Sequence, residues 1–535
     1  MSDAKPSTVT LTIDGQEVTV PRGTTLLKAA EALGTRVPHY CYHDGLSSPA
    51  MCRLCLVEVE GAPKPMPSCV TAAQDGQVVL TDEGRAREMR EGVLEFYLVN
   101  HPLDCPICDQ SGECKLQDYV HAEGRAHGRS REPKRVFGRD DFGGDVLFYG
   151  DRCVMCTRCV RFMNEVERDP RLTVVERGNR SVIDTFFDEG LDGTKWSGNI
   201  VDICPVGALV SKDFLFKQRA WDLDHTPSVC TGCSQGCNIA LHTRDNLVQR
   251  VKPRTNLDVN AFWMCDHGRH DYEWMNQGER LEAPLAGRGS ERIALGWQEA
   301  LTRLAARLDE ADGTSVRAVA SPRSSNEDLA ALRAMVDALG GGTIEFRLPM
   351  AADEDVLEGM PTLARRRELA PNHRGAELLG MKRVGDDSGA GGLDEAGAHE
   401  GILIVLGDAL ADQDTDFGAA ADLFVMLGTH DAVAAANADF LLPISMHAEQ
   451  EGTFTNRDGR IQRFWPGLQP PGAARPAWLI LRALASHRGE ATLPGTAAEA
   501  FAAVAEESGA FGDLDYPTVG TRGAVVPERA ALAGD

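Results

Sequence analysis

The segment HPLDCPICDQSGECKLQDY, residues 101 to 119, holds four soft ligands: His101, Cys105, Cys108 and Cys114. Such density points to a metal. Three further cysteine sets follow the same logic. Cys41, Cys52, Cys55 and Cys69 give a long gap, a close pair and a distant fourth thiol. A loop plus a remote cysteine can hold a [2Fe-2S] core, although the gap here is longer than in the plant-type spacing. Cys153, Cys156 and Cys159 form the bacterial ferredoxin run, whose next ligand precedes a proline. Cys204-Pro205 supplies that dipeptide far down the chain. Cys230, Cys233, Cys237 and Cys265 make the fourth set.

Four sites with four ligands each need sixteen side chains. The chain has fifteen cysteines, and His101 completes the number. Zinc is the competing reading, because any isolated CxxC pair suits a zinc ribbon. The triplet CxxCxxC with a distant CP favours iron and sulfide instead, since one turn of backbone wraps three corners of a cubane. A histidine ligand is neutral where a thiolate is negative, so its own contribution raises the potential, as in Rieske centres. The other thirteen histidines, His39 and His43 beside Cys41 included, read as structural.

The elements that must carry these ligands are partly visible. VTLTIDGQEVTV is a pair of alternating strands about Asp14-Gly15, a hairpin turn. The next helix has Thr24 or Thr25 as N-cap and Gly34 as its stop. Strand, hairpin, strand, helix and cysteine loop is the order of a β-grasp ferredoxin. A helix is expected through EGRAREMREGVLEFYLVNHPLDC, and residues 120 to 150 read as a connecting loop. Beyond about residue 280, apolar strands such as GILIVLGDA and DLFVMLGTHD alternate with Ala-rich helices, which predicts an α/β region. The last stretch, rich in Gly and Ala, is expected to be loosely held.

Composition sets limits on function. The 535 residues exceed one core and suggest several domains. A formal net charge of −25 argues against a nucleic-acid groove, and the bland reading of that acidity is solubility. All cysteines lie between Cys41 and Cys265. With no basic, apolar leader at the N-terminus, disulfides are not expected. No apolar run approaches the roughly 20 residues of a membrane span, so membrane association is expected only through a partner.

HPLDCPICDQSGECKLQDY, DRCVMCTRCVRF and WSGNIVDICPVGALVSKDF resemble the large iron–sulfur subunit of bacterial respiratory complex I, the NADH-quinone oxidoreductase. The resemblance is close from about residue 8 to 280. It implies a [2Fe-2S] cluster on Cys41, Cys52, Cys55 and Cys69, and a histidine-ligated [4Fe-4S] cluster on His101, Cys105, Cys108 and Cys114. An all-cysteine [4Fe-4S] cluster falls on Cys153, Cys156, Cys159 and Cys204. A further one, found in some bacterial members off the main route, falls on Cys230, Cys233, Cys237 and Cys265.

The implied architecture is α/β and multidomain. It runs as a β-grasp [2Fe-2S] ferredoxin (1–85), a [4Fe-4S] domain with one histidine and three cysteine ligands (86–128), a ferredoxin-like [4Fe-4S] domain (129–220), a [4Fe-4S] domain of molybdopterin-oxidoreductase type (221–280) and a shortened molybdopterin-oxidoreductase-like α/β region (281–535). ADFLLPISMHAEQEGTFTNRDGRIQ is the most family-like part of that last region. No cysteine remains there to bind molybdenum, and no molybdopterin is expected.

As an electron wire the chain carries no catalytic residue of its own. Electrons are expected from a flavin- and NADH-binding subunit and leave to a ferredoxin-like subunit toward quinone. Membrane subunits then couple the transfer to proton translocation. The place implied is the cytoplasmic face of the bacterial inner membrane, reached through the other hydrophilic-arm subunits. The rivals are an iron–sulfur subunit of an NAD-linked formate dehydrogenase or hydrogenase, and a zinc-stabilised scaffold.

Overall fold

The computed structural model describes residues 7–311, 313–410, 412–488, 494–509 and 511–527. Its chain divides into two compact units. One comprises Met1–Leu223 with Leu357–Pro361, the other Asp224–Val356 with Thr362–Asp535.

In the first unit Asp14 and Gly15 both take positive φ, 48° and 80°, as a tight hairpin between Thr8–Ile13 and Gln16–Pro21 requires. Asp14 also caps the far side of the sheet, its carboxylate accepting from the amide (2.7 Å) and hydroxyl (2.5 Å) of Thr81. Thr25 caps the helix Leu26–Ala32, and Gly34 follows it at φ 77°. Thr8–Ile13 pairs in parallel with Val78–Leu80, which closes a five-stranded sheet of the expected β-grasp kind. Its core is Val9, Leu11, Ile13, Leu27 and Val79, and Cys55 and Cys69 belong to the same cluster.

The helix Gly84–Leu98 forms as expected. The segment read as a loop does not stay one. Within residues 120–150 the strands Arg139–Gly143 and Val146–Tyr149 pair about Gly143-Gly144, and Leu209–Ser211 adds a third strand. The short apolar, β-prone run VLFY was the overlooked signal, masked by the Gly- and Asp-rich residues before it. Arg158–Arg161 is one α-helical turn that runs on into a π-helical turn, Phe162–Glu167. Residues from far along the chain complete this unit, with the Gly359 amide donating to the Val166 carbonyl at 2.7 Å.

The second unit opens with the antiparallel strands Asp224–Val229, Asn238–Arg244 and Leu247–Pro253. The α/β region follows as an eight-stranded sheet. Phe440–Pro443, Leu423–Gly428, Ile402–Leu406, Val316–Ala320, Thr343–Arg347 and Lys382–Val384 lie side by side in parallel, with an antiparallel edge at Leu285–Ala286 and Ile293–Ala294. Strands buried on both faces read as continuous apolar runs, and ILIVL and LFVMLG are such runs. One face is covered by the helices Trp297–Glu310, Asn326–Ala338 and Ala477–His487.

The expectation of a loose tail is corrected for the described part. Tyr516–Val519 is helical, Ala524–Val525 pairs with Arg460–Ile461, and the Tyr516 hydroxyl donates to Glu327 at 2.9 Å. A Gly- and Ala-rich composition hid two anchors, Tyr516 and Val519, both buried. Residues 528–535 lie outside the described residues.

Candidate iron–sulfur sites

All fifteen cysteines are free thiols, and thiol neighbours and cavity linings group them as the spacing does. In the first set every thiol is buried. Cys41 hydrogen-bonds to Cys52, and Cys55 to Cys69. Accepting that bond draws Cys52 down to about 5 and Cys69 to about 7, while the two donors are pushed up. Ala50 and Arg53 take positive φ, 52° and 56°, so the chain curls around the pair Cys52 and Cys55. Tyr97 closes the far side by donating to the Cys52 carbonyl at 3.2 Å.

His101, Cys105, Cys108 and Cys114 line one cavity of about 520 Å³. Burial, followed by the nearby Lys134 and Arg152 cations, lowers the imidazole to about 4, so its lone pair is free at neutral pH. Cys114 stands at the N-terminus of the helix Lys115–Glu123, where the amides of Gln117 and Leu116 point at its sulfur. A Cβ on Gly207 would lie 2.2 Å from the Cys108 sulfur, so only glycine leaves that thiol its place. Cys105 is exposed, and so are Phe96, Leu103 and Ile107 close by in sequence.

Cys153, Cys156, Cys159 and Cys204 line a second, apolar cavity of about 20 Å³. Met155 and Thr157, between the cysteines of the triplet, have φ of 50° and 59°. This curl turns amides inward, and the Met155 amide donates to the Cys153 sulfur at 3.3 Å. Burial pushes all four thiols up, Cys204 to about 12. Four desolvated thiols with converging amide donors suit a core that keeps them as thiolates.

The fourth set, in the second unit, is equally dry. Cys230, Cys233, Cys237 and Cys265 are each buried, and Cys237 feels the other three electrostatically. The Gly268 amide donates to the Cys265 sulfur at 3.3 Å. A Cβ on Gly268 would stand 2.9 Å from the Cys230 sulfur and 3.5 Å from that of Cys265. The donor chemistry fits thiolate-bound clusters at all four places, and glycines make room for a sulfur at two of them. Among the described residues no group of three or more His, Cys, Asp or Glu has the geometry of a single-ion site. His39 turns its Nδ1 to the Val37 carbonyl at 2.9 Å and joins no set.

Spacing did not reveal the arginines. Arg158 donates to the carbonyls of Ile203 (3.0 Å) and Tyr42, each next to a ligand. Arg161 donates to the carbonyls of Cys41 (2.5 Å), Cys156 (3.3 Å) and Ser47. Arg219 reaches Cys105 (2.9 Å) and Cys108 (3.2 Å) in the same way. For Arg158 and Arg161 the sequence signal is RCVRF, arginines flanking Cys159 at helical spacing; Arg219 has none.

In the α/β region the order of the parallel strands reverses between Val316–Ala320 and Ile402–Leu406, the place where such sheets bind ligands. A cavity of about 50 Å³ lies at their carboxyl ends, lined by Ser321, Asp408, Ser445 and His447 among others. Pockets for drug-sized ligands run to about 300–1,000 Å³, and this cavity is much smaller.

A β-grasp fold, three further cysteine-rich sites and a doubly wound α/β region define the fold class of a multidomain iron–sulfur protein. Family models agree segment by segment. A 2Fe-2S iron-sulfur cluster binding domain matches residues 6–84, and the NADH-ubiquinone oxidoreductase-G iron-sulfur binding region matches 90–129. The ferredoxin-like domain of NADH-quinone oxidoreductase subunit 3 matches 143–210. A molybdopterin oxidoreductase Fe4S4 domain matches 223–277, and molybdopterin oxidoreductase itself matches 359–487.

The mitochondrial NADH-ubiquinone oxidoreductase 78 kDa subunit of Candida albicans is 31% identical over 602 aligned positions, 91% of this chain and 83% of that one. The NADH-quinone oxidoreductase G subunit of Rickettsia bellii is 39% identical over 62% of this chain and 48% of its own length. The mitochondrial NADH dehydrogenase [ubiquinone] iron-sulfur protein 1 of Solanum tuberosum is 41% identical over 62% and 45%. The chain belongs to the family that unites the bacterial NADH-quinone oxidoreductase G subunits with the mitochondrial 78 kDa subunits. It spans about half the length of the bacterial relatives it matches.

Proposed function

We propose that this chain is the electron-transfer subunit of a proton-translocating NADH:quinone oxidoreductase, with no complete active site of its own. The observation that carries the reading is the convergence of sixteen ligands into four sets, all but Cys105 buried or half-buried, three of the sets within one compact unit. One [2Fe-2S] cluster would be held by Cys41, Cys52, Cys55 and Cys69. Three [4Fe-4S] clusters would be held by His101 with Cys105, Cys108 and Cys114, by Cys153, Cys156, Cys159 and Cys204, and by Cys230, Cys233, Cys237 and Cys265. Such clusters supply one-electron transfer. The chain's own part is to fix their places, exclude water and direct amides and guanidinium groups at the ligands.

The entry partner in this reading is a flavin- and NADH-binding subunit. The exit is a ferredoxin-like subunit, and what supports that choice is the exposed Cys105 with apolar Phe96, Leu103 and Ile107 nearby. Proton translocation belongs to membrane subunits. Among the described residues no helix is long and apolar enough to cross a membrane. In this reading the chain sits at the cytoplasmic face of the bacterial inner membrane through its partners. The five-part domain order, with boundaries near residues 85, 128, 220 and 280, goes with the same reading. No molybdopterin is assigned, in keeping with the small cavity at the strand ends.

The test is low-temperature paramagnetic resonance on the anaerobically reduced complex, with iron, labile sulfide, zinc and molybdenum assayed on the same sample. Cluster signals, about fourteen irons in this chain and no stoichiometric molybdenum are expected. Zinc in place of iron, with no labile sulfide, would refute the reading.

A further inference from the structure

Arg161 ends the short helix Arg158–Arg161 and is 9% exposed. Its Nη2 donates to two carbonyls, that of Cys41 at 2.5 Å and that of Cys156 at 3.3 Å. Nη1 donates to the Ser47 carbonyl, and Nε to the Thr157 hydroxyl at 3.3 Å. Among the described residues no carboxylate pairs with it. Glu165 is close in sequence, but its two oxygens are engaged by the amide (2.8 Å) and hydroxyl (2.5 Å) of Ser47. A buried cation surrounded only by neutral acceptors is costly unless negative charge lies nearby. Glu165 supplies part of that charge, and the eight cysteines of the two sites would supply the rest as cluster-bound thiolates. Arg158 repeats the theme one turn earlier through the carbonyls of Tyr42 and Ile203, which adjoin Cys41 and Cys204. Arg219 touches two ligand carbonyls of a single site. Among the described residues Arg161 alone joins ligand carbonyls of two sites.

We propose that Arg161 is a positioning residue for electron exchange between the site of Cys41, Cys52, Cys55 and Cys69 and the site of Cys153, Cys156, Cys159 and Cys204. The inference rests on the iron–sulfur reading above and goes beyond it. One nitrogen holds a ligand residue of each site, which fixes their separation and supplies a hydrogen-bonded path between them. Its positive charge stabilises an added electron on either side, so both potentials rise together and stay matched. The electron lost at one site is the electron gained at the other, and Arg161 keeps its proton throughout.

The test uses Arg161→Gln and Arg161→Lys in the assembled complex. Iron and sulfide are assayed first, and both clusters are then titrated by paramagnetic resonance. At wild-type iron content, Arg161→Gln should lower both midpoint potentials. Arg161→Lys should keep them near wild type, because the charge stays. Its single ammonium does not reproduce the planar fork, so exchange between the two clusters should slow several-fold in rapid-freeze measurements. If either potential stays put in Arg161→Gln, the proposal fails. Should that variant lose iron, Arg161→Lys decides: slowed exchange at unchanged potentials supports the role, and wild-type exchange overturns it. Wild-type complex without cluster signals would sink the iron–sulfur reading itself, whereas intact signals with unmoved potentials would sink only the role of Arg161.

Discussion

Imidazole for thiolate at residue 101 changes charge and little else. His101 is held neutral by burial and by Lys134 and Arg152, so it enters a cluster as a neutral ligand. A thiolate there adds a negative charge and makes an incoming electron harder to accommodate. His101→Cys should therefore keep the cubane and lower its midpoint potential by on the order of 100 mV, read by redox titration of its paramagnetic signal. An upward shift would contradict the charge argument. At this scale the sixteen candidate ligands could be proposed from spacing, because soft side chains at short spacing are rare outside metal sites. Gly207 and Arg161 could not. The first matters only because a sulfur nearly a hundred residues earlier in the chain lies where its Cβ would be. The second matters only because two loops meet at its guanidinium.

At the scale of elements, local signals worked where turn and cap chemistry were explicit, as at Asp14-Gly15 and Thr25. They failed at residues 139–149, where charged residues conceal a hairpin. The helix Asn326–Ala338 shows what else sequence conceals. Ser325 and Asp328 form its capping box. Between them, Glu327 is fully buried and accepts from the Thr453 amide, the Thr453 hydroxyl and the Tyr516 hydroxyl, each at 2.9 Å. Burial outweighs these bonds and raises its carboxyl from 4.5 to about 7. A raised folded value means that the neutral acid is the favoured form. Its stabilising effect is complete below about pH 4.5 and disappears as pH climbs through about 7. Glu327→Gln keeps the shape and removes the titration. The variant should lose less stability than wild type between pH 5 and 8, a difference on the order of 1–3 kcal/mol. Thermal midpoints across that range measure it, and parallel pH profiles would exclude this account.

Across the whole molecule, a boundary is read from the sequence near residue 220, and the main segment of the first unit ends close by at Leu223. Leu357–Pro361 returns to the first unit from within the second, and no local pattern marks such a return. The same division separates the cysteine sets. Three belong to the first unit, where Arg158 and Arg161 stitch two of them together and the Lys115 amide, beside Cys114, donates to the Pro205 carbonyl, beside Cys204. The fourth belongs to the second unit. The residues around it are held there, with the Ser234 amide on the Glu368 carbonyl (2.8 Å) and the Asn238 amide on Asn260 (2.9 Å). A cluster seated among such neighbours takes its support from its own unit, and its loss should leave the other three intact. Cys265→Ser should thus reduce the iron of this chain from about fourteen to about ten, leave the other three paramagnetic signals in place and spare NADH-to-quinone transfer in the assembled complex. Disappearance of that transfer, with the remaining three clusters still reducible, would place the fourth site on the main route and refute its assignment as a branch.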